Sequence, residues 1–139
     1  DFSCSDKWYE VKTISRGNSS VRISSLEQLD SDKDGQLIVY SLEKMSPAYN
    51  GISLNKLILE TRQMFMSGDE SDDFLAKVAL QGYEYNNDYD EFVYEVSNFG
   101  RYMVGYDFPK LTHKNVPMAI SKANYDISLS DIMNYRTDK

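Results

Sequence analysis

Asp1-Phe2-Ser3-Cys4-Ser5-Asp6-Lys7-Trp8-Tyr9-Glu10-Val11-Lys12-Thr13-Ile14 opens the chain, and its reading decides the fold. Trp8, Val11 and Ile14 stand among Tyr9 and Thr13, aromatic and β-branched types that suit a pleated, half-buried backbone, while Ser5-Asp6-Lys7 has turn chemistry. The pattern predicts a hairpin of two short strands, 1–5 and 8–14. On a strand, residues two apart share a face, so Glu10 and Lys12 project together beside whatever Asp1 presents from the neighbouring strand.

Outward from this hairpin, Arg16-Gly17-Asn18-Ser19-Ser20 reads as a loop. Ser24 followed three residues later by Glu27 has capping-box spacing and predicts a short helix through Leu29, ended by Asp30-Ser31-Asp32-Lys33-Asp34-Gly35. The apolar run 36–42 reads as a central strand buried on both faces. Leu54, Leu57, Ile58, Thr61, Met64 and Phe65 recur at helical spacing after Ser53, with Gly68 as the expected stop. Ser71-Asp72-Asp73 predicts the start of a second helix whose buried face is Phe74, Leu75, Val78, Ala79 and Leu80, and Gly82 its end. Asn98-Phe99-Gly100 between 92–96 and 101–104 predicts a hairpin, and 123–129 alternates like a half-buried strand. The element order is β, β, short α, β, α, α and a β-rich C-terminal part. It implies a single α/β or mixed α+β domain over 1–139, a sheet core flanked by helices.

At 139 residues, 41% hydrophobic and 27% charged, with a mean hydropathy of −0.54, the chain has the composition of an ordinary globular domain. Its net charge of −7 is uneven: residues 1–100 hold 18 acids against 9 bases, residues 101–139 hold 4 against 6. Such an average field does not hold phosphate backbones or anionic membranes, so a polyanionic substrate needs a metal ion, local cations or a partner. The single Cys4 excludes an internal disulfide, and Cys4 with the single His113 excludes the common zinc sets. A reducing, cytoplasmic setting is expected, and no apolar run of membrane-spanning length occurs. The start at Asp1 reads as lying inside a longer protein, with an N-terminal part of the fold upstream.

The spacing D-x8-E-x-K sets two carboxylates and an ammonium to converge. That trio suits metal-assisted phosphodiester hydrolysis. Carboxylates are hard oxygen ligands for Mg²⁺ or Mn²⁺, the ion polarises phosphate and acidifies water, and a lysine steadies developing charge. The ion also supplies the positive charge that the acidic chain lacks.

Trp8-Tyr9-Glu10-Val11-Lys12-Thr13 resembles the E-V-K-T half of a PD-(D/E)XK nuclease motif. Further stretches, Ile23 to Asp30, Gly51 to Asn55, Gly82-Tyr83, Tyr102 to Pro109 and Tyr125 to Leu129, resemble an uncharacterised bacterial family of PD-(D/E)XK-motif proteins. The resemblance implies a restriction-endonuclease-like core and a Mg²⁺- or Mn²⁺-dependent deoxyribonuclease. It also implies a setting near DNA modification and phage defence, with partner proteins of such a system. Carried over, it makes Asp1 and Glu10 the metal ligands, Lys12 the catalytic lysine, and Gln28 a polar residue facing the site. No proline precedes Asp1 as the full motif requires, and the opening helix is expected upstream. The alternative is a nuclease-like fold without activity, an interaction module in a defence complex.

Other motifs compete. Asp30-x-Asp32-x-Asp34-Gly35 copies the start of an EF-hand calcium loop, but Ser41 stands where the bidentate Glu belongs and a strand follows, so a solvated acidic turn is expected. His113 has the pKa range of a general base but no sequence neighbour to orient it, which reads as a surface histidine. Lys110, His113, Lys114, Lys122 and Arg136 read as scattered solubilising charge before a phosphate-binding surface. Tyr83, Tyr85, Tyr89, Phe92 and Tyr94 could stack on bases, but the acids among them favour packing. Cys4 reads as a small buried hydrophobe.

Overall fold

The computed structural model describes the backbone of residues 2–4 and 6–138, and side chains from residue 6. The chain divides into two compact units, 1–42 with 96–139, and 43–95. The architecture is mixed α+β, with small sheets and two helices, consistent with a restriction-endonuclease-like core.

In the first unit, β1 (Phe2–Cys4) pairs antiparallel with β2 (Lys7–Ser15), so the opening hairpin forms as its sequence suggests. β2 runs parallel to β4 (Gly35–Met45), and with β5 (Val93–Val104) these strands form a sheet ordered β1-β2-β4-β5. A second, two-stranded sheet pairs β3 (Ser20–Ile23) with β6 (Tyr125–Ser128). Parallel neighbours need a long crossover. Here β3 and a set of turns provide it.

The helix expected from Ser24 does not form. Residues 25–29 are bends and turns, with Leu26 and Leu29 buried to 1% and 0% exposure. Nucleating a helix fixes several dihedrals for one hydrogen bond, and a six-residue segment between buried anchors gains too little from propagation. Strand β4 is also less enclosed than expected. Leu37, Val39 and Ser41 are buried, whereas Gln36, Ile38 and Tyr40 are half-covered, the alternation of a strand packed mainly on one face.

β5 is one continuous strand rather than a hairpin. Gly100 serves close approach instead of a turn, since a Cβ there would meet the Tyr102 ring at 2.9 Å. Ser97 donates to the Ser41 carbonyl at 3.1 Å, and Phe99 lies against Tyr40 with ring centres 4.9 Å apart, which carries the strand through the expected turn. Val21, Ile23, Leu29, Leu37, Val39, Tyr102, Val104, Phe108, Ile127 and Ile132 make the core between the sheets.

In the second unit, α1 (Leu54–Gln63) is capped by Ser53, whose Oγ accepts from the Lys56 amide. α2 (Gly68–Leu80) starts earlier than expected because Ser67 takes the cap through the Glu70 amide, so Gly68 begins a helix instead of ending one. Gly82, at φ +90°, ends α2 as its sequence suggests. The apolar face expected to be core is only partly used. Ile58 and Asn55 are the buried residues of α1, while Leu57, Met64 and Leu80 are 49%, 80% and 84% exposed. Asn55 replaces an apolar anchor: its amide donates to the Asn86 carbonyl and to Asp90, and it accepts from Tyr83 Oη at 2.8 Å.

A single residue sets how β2 lies on β4. Trp8 pairs with Gly35, its indole nitrogen donates to the Lys33 carbonyl at 2.8 Å, and a Cβ at position 35 would meet the ring at 2.0 Å. Gly35→Ala therefore forces the indole out of place. Its expected cost is about 1–3 kcal/mol, read from chemical denaturation, with a changed Trp8 emission spectrum.

At the other end of the core, Arg136 Nε donates to Asp138 at 3.0 Å and the Asp138 carboxylate also accepts from the Arg101 amide at 2.9 Å. These contacts hold the Asp138 carboxyl down to about 2, first through Arg136 and then through the backbone. A lowered carboxyl stabilises the fold above its ordinary pKa, and that contribution disappears as pH falls through about 2. Asp138→Asn should flatten the loss of melting temperature between pH 4 and 2.

Candidate active site

β2 turns Trp8, Glu10, Lys12 and Ile14 inward and leaves Lys7, Val11, Thr13 and Ser15 exposed. Two-residue periodicity therefore carries an acid and a base into the interior together. Glu10 is 3% exposed, opposite Leu37 of β4. Its Oε1 lies 2.8 Å from Lys12 Nζ. Lys12 Nζ also donates to Gln28 Oε1 at 3.0 Å, and the same Gln28 oxygen accepts from the Ser24 amide at 2.7 Å. Glu10, Lys12 and Gln28 thus form one connected group, with the turn at 24–29 held against the strand.

Glu10 Oε2 is buried and has no hydrogen-bond partner among the described residues. Leaving such an oxygen unsatisfied costs on the order of 1–3 kcal/mol, more for a charged group. Burying an ion pair does not by itself stabilise a fold. A buried carboxylate oxygen with no partner among the described residues is a hard donor of the kind that Mg²⁺ or Mn²⁺ takes, and Glu10 Oε2 fits that use. Burial pushes the Lys12 ammonium below its ordinary pKa of 10.5.

Asp1, the other expected ligand, lies outside the described residues. Among those described, no group of three or more His, Cys, Asp or Glu side chains is arranged to hold a metal. The contribution of Ser24 was not legible in the sequence, because it enters through its backbone amide in a turn that the capping pattern presented as a helix.

The competing motifs resolve elsewhere. Asp32 pairs with Lys114, which lowers the Asp32 carboxyl and raises the Lys114 ammonium. The loop 30–34 lines an open cleft of about 600 Å³ with Lys110 and Tyr106, and β4 follows it directly. His113 Nε2 lies 2.7 Å from Glu27 Oε1, and this contact leads the lowering of Glu27 to about 2. His113 is thus an exposed latch on the turn that carries Gln28. Lys114 and Arg136 are committed to carboxylates, so two cations of the scattered basic set are engaged within the fold.

A family model described as "Putative PD-(D/E)XK family member, (DUF4420)" matches residues 1–130. The chain belongs to this family. No curated protein and no solved structure matches it. Family membership attaches the chain to the PD-(D/E)XK superfamily, whose nucleases generally use divalent metals. No helix among the described residues is long and apolar enough to cross a membrane.

Gln28→Ala removes the acceptor shared by Lys12 and the Ser24 amide. The expected loss is about 1–2 kcal/mol in denaturant midpoint analysis, with increased mobility of the Lys12 Nζ resonance.

Proposed function

We propose that residues 1–139 act as one nuclease-like domain that hydrolyses phosphodiester bonds of DNA with Mg²⁺ or Mn²⁺ bound at Asp1 and Glu10. The observation that carries the reading is the buried Glu10 carboxylate, one oxygen paired with Lys12 and the other without a partner among the described residues. The family resemblance of the D-x8-E-x-K spacing is what supports Asp1 as the companion ligand.

When bound, the divalent ion would polarise the phosphate and make water a better nucleophile. The chain's own groups do the rest. Glu10 anchors one side of the site from a rigid strand. Gln28 fixes the Lys12 ammonium where it can donate to a phosphate oxygen and steady the charge that develops on it. Because Gln28 is itself tied to the Ser24 amide, Lys12 is positioned without moving at the moment of reaction. Family resemblance supplies the setting, bacterial restriction or phage defence in the cytoplasm, where partner proteins of a modification or defence system would direct the domain to its target.

The test is nicking of plasmid DNA by the intact protein. Activity should require Mg²⁺ or Mn²⁺, disappear with chelator, and fall by about 10²-fold or more in Lys12→Ala and Glu10→Gln. Mg²⁺ should raise the melting temperature of the unaltered chain and not of Glu10→Gln. Nicking retained in Lys12→Ala removes that residue from the reaction. Absence of both nicking and metal stabilisation leaves the inactive interaction module.

A further inference from the structure

We propose that His113 is a positioning residue for Lys12: through Glu27 it fixes the turn that presents Gln28, and Gln28 aims the Lys12 ammonium. Its consequence for catalysis rests on the nuclease reading above, whereas its geometry lies wholly within the unit 1–42 with 96–139. His113 Nε2 lies 2.7 Å from Glu27 Oε1, and the Glu27 carboxylate also accepts from the Ser25 side chain. The residues next to these two reach the site. The Ser24 amide donates to Gln28 Oε1 at 2.7 Å, and Lys12 Nζ donates to the same oxygen at 3.0 Å. Burial of Leu26 and Leu29 sets the depth of this turn, but apolar contact has no direction, so polar bonds must aim the Gln28 side chain.

The loop that offers His113 is braced from within. The buried Thr112 donates through its amide to Asn115 Oδ1 at 2.8 Å, its Oγ1 accepts from the Lys114 amide at 3.3 Å, and Asn115 Nδ2 donates to the Lys110 carbonyl at 2.8 Å. The Leu111 amide donates to Tyr125 Oη at 3.0 Å, which fastens the loop to β6. His113 thus reaches Glu27 from a fixed base. With side chains 49% and 66% exposed, the pair contributes little to global stability, and its use is to set direction. The same loop contains an internal control. Lys114 pairs with Asp32, also exposed, four residues beyond Gln28 and with the buried Leu29 between them.

The intact protein is read in two ways: by the Lys12 Nζ and Gln28 side-chain amide resonances without DNA or metal, and by kcat and KM for plasmid nicking with Mg²⁺. His113→Ala and Glu27→Ala should each shift and broaden both resonances, and the double variant should do no more than either single one. His113→Gln keeps a side-chain N–H donor and should restore them, whereas Lys114→Ala should leave them in place. A melting curve close to that of the unaltered chain establishes that each variant folds. In nicking, His113→Ala should lower kcat about two- to fivefold with KM unchanged, because the link governs the group that steadies developing charge. Resonances unmoved in His113→Ala overturn the proposal. Equal movement in Lys114→Ala makes the loop a general support and overturns it. A raised KM with kcat unchanged makes His113 a DNA contact and overturns it as well. If the unaltered chain nicks no DNA, the nuclease reading fails, and the resonances still decide whether His113 positions Lys12.

Discussion

The parallel lie of β2 on β4 is the constraint on which the site depends. It is fixed at one end by a contact that admits no side chain, the Trp8 ring over Gly35. With that pair in place, the two-residue period of the strand turns Glu10 and Lys12 to the inner face, and Glu10 stands opposite Leu37. A slip by one residue would send both charged side chains to the exposed face and Val11 inward. Such a register would bury fewer charges, and it would leave no site.

An interior that contains a carboxylate and an ammonium is not explained by stability. Desolvating two ions offsets most of their attraction, and the bare Glu10 Oε2 adds a cost with no return within the described residues. The surrounding architecture nevertheless invests contacts in holding the group still. Gln28 links Lys12 to the Ser24 amide, and His113 grips Glu27 beside it. Structure held in place around a buried acid suits the cation site proposed above.

The charge of the molecule is partitioned as sharply as its chain. The unit that carries Glu10, Lys12 and Gln28 is balanced, and the unit of α1 and α2 carries the whole excess of acid. Averaged over the chain, −7 argues against any polyanion; assigned to its place, it says nothing against one at the Glu10 site.

Periodicity, turn chemistry and composition determined the opening hairpin, the facing pair Glu10 and Lys12, the Ser53 cap and the Gly82 stop, because each depends on residues only a few positions apart. The sequence misled where a local signal competed with a distant one. Ser24 and Glu27 spelled a helix, but the burial of Leu26 and Leu29 held the segment in turns. Asn98-Phe99-Gly100 spelled a hairpin, but Ser41, Tyr40 and the ring of Tyr102 drew the strand straight through. Only the tertiary structure decided that Gln28 reaches Lys12, that Glu10 keeps an oxygen without a partner among the described residues, and that the apolar rows of α1 and α2 stay partly uncovered. Each is a relation between segments that approach only when the chain folds, and no spacing along it encodes a distance across it.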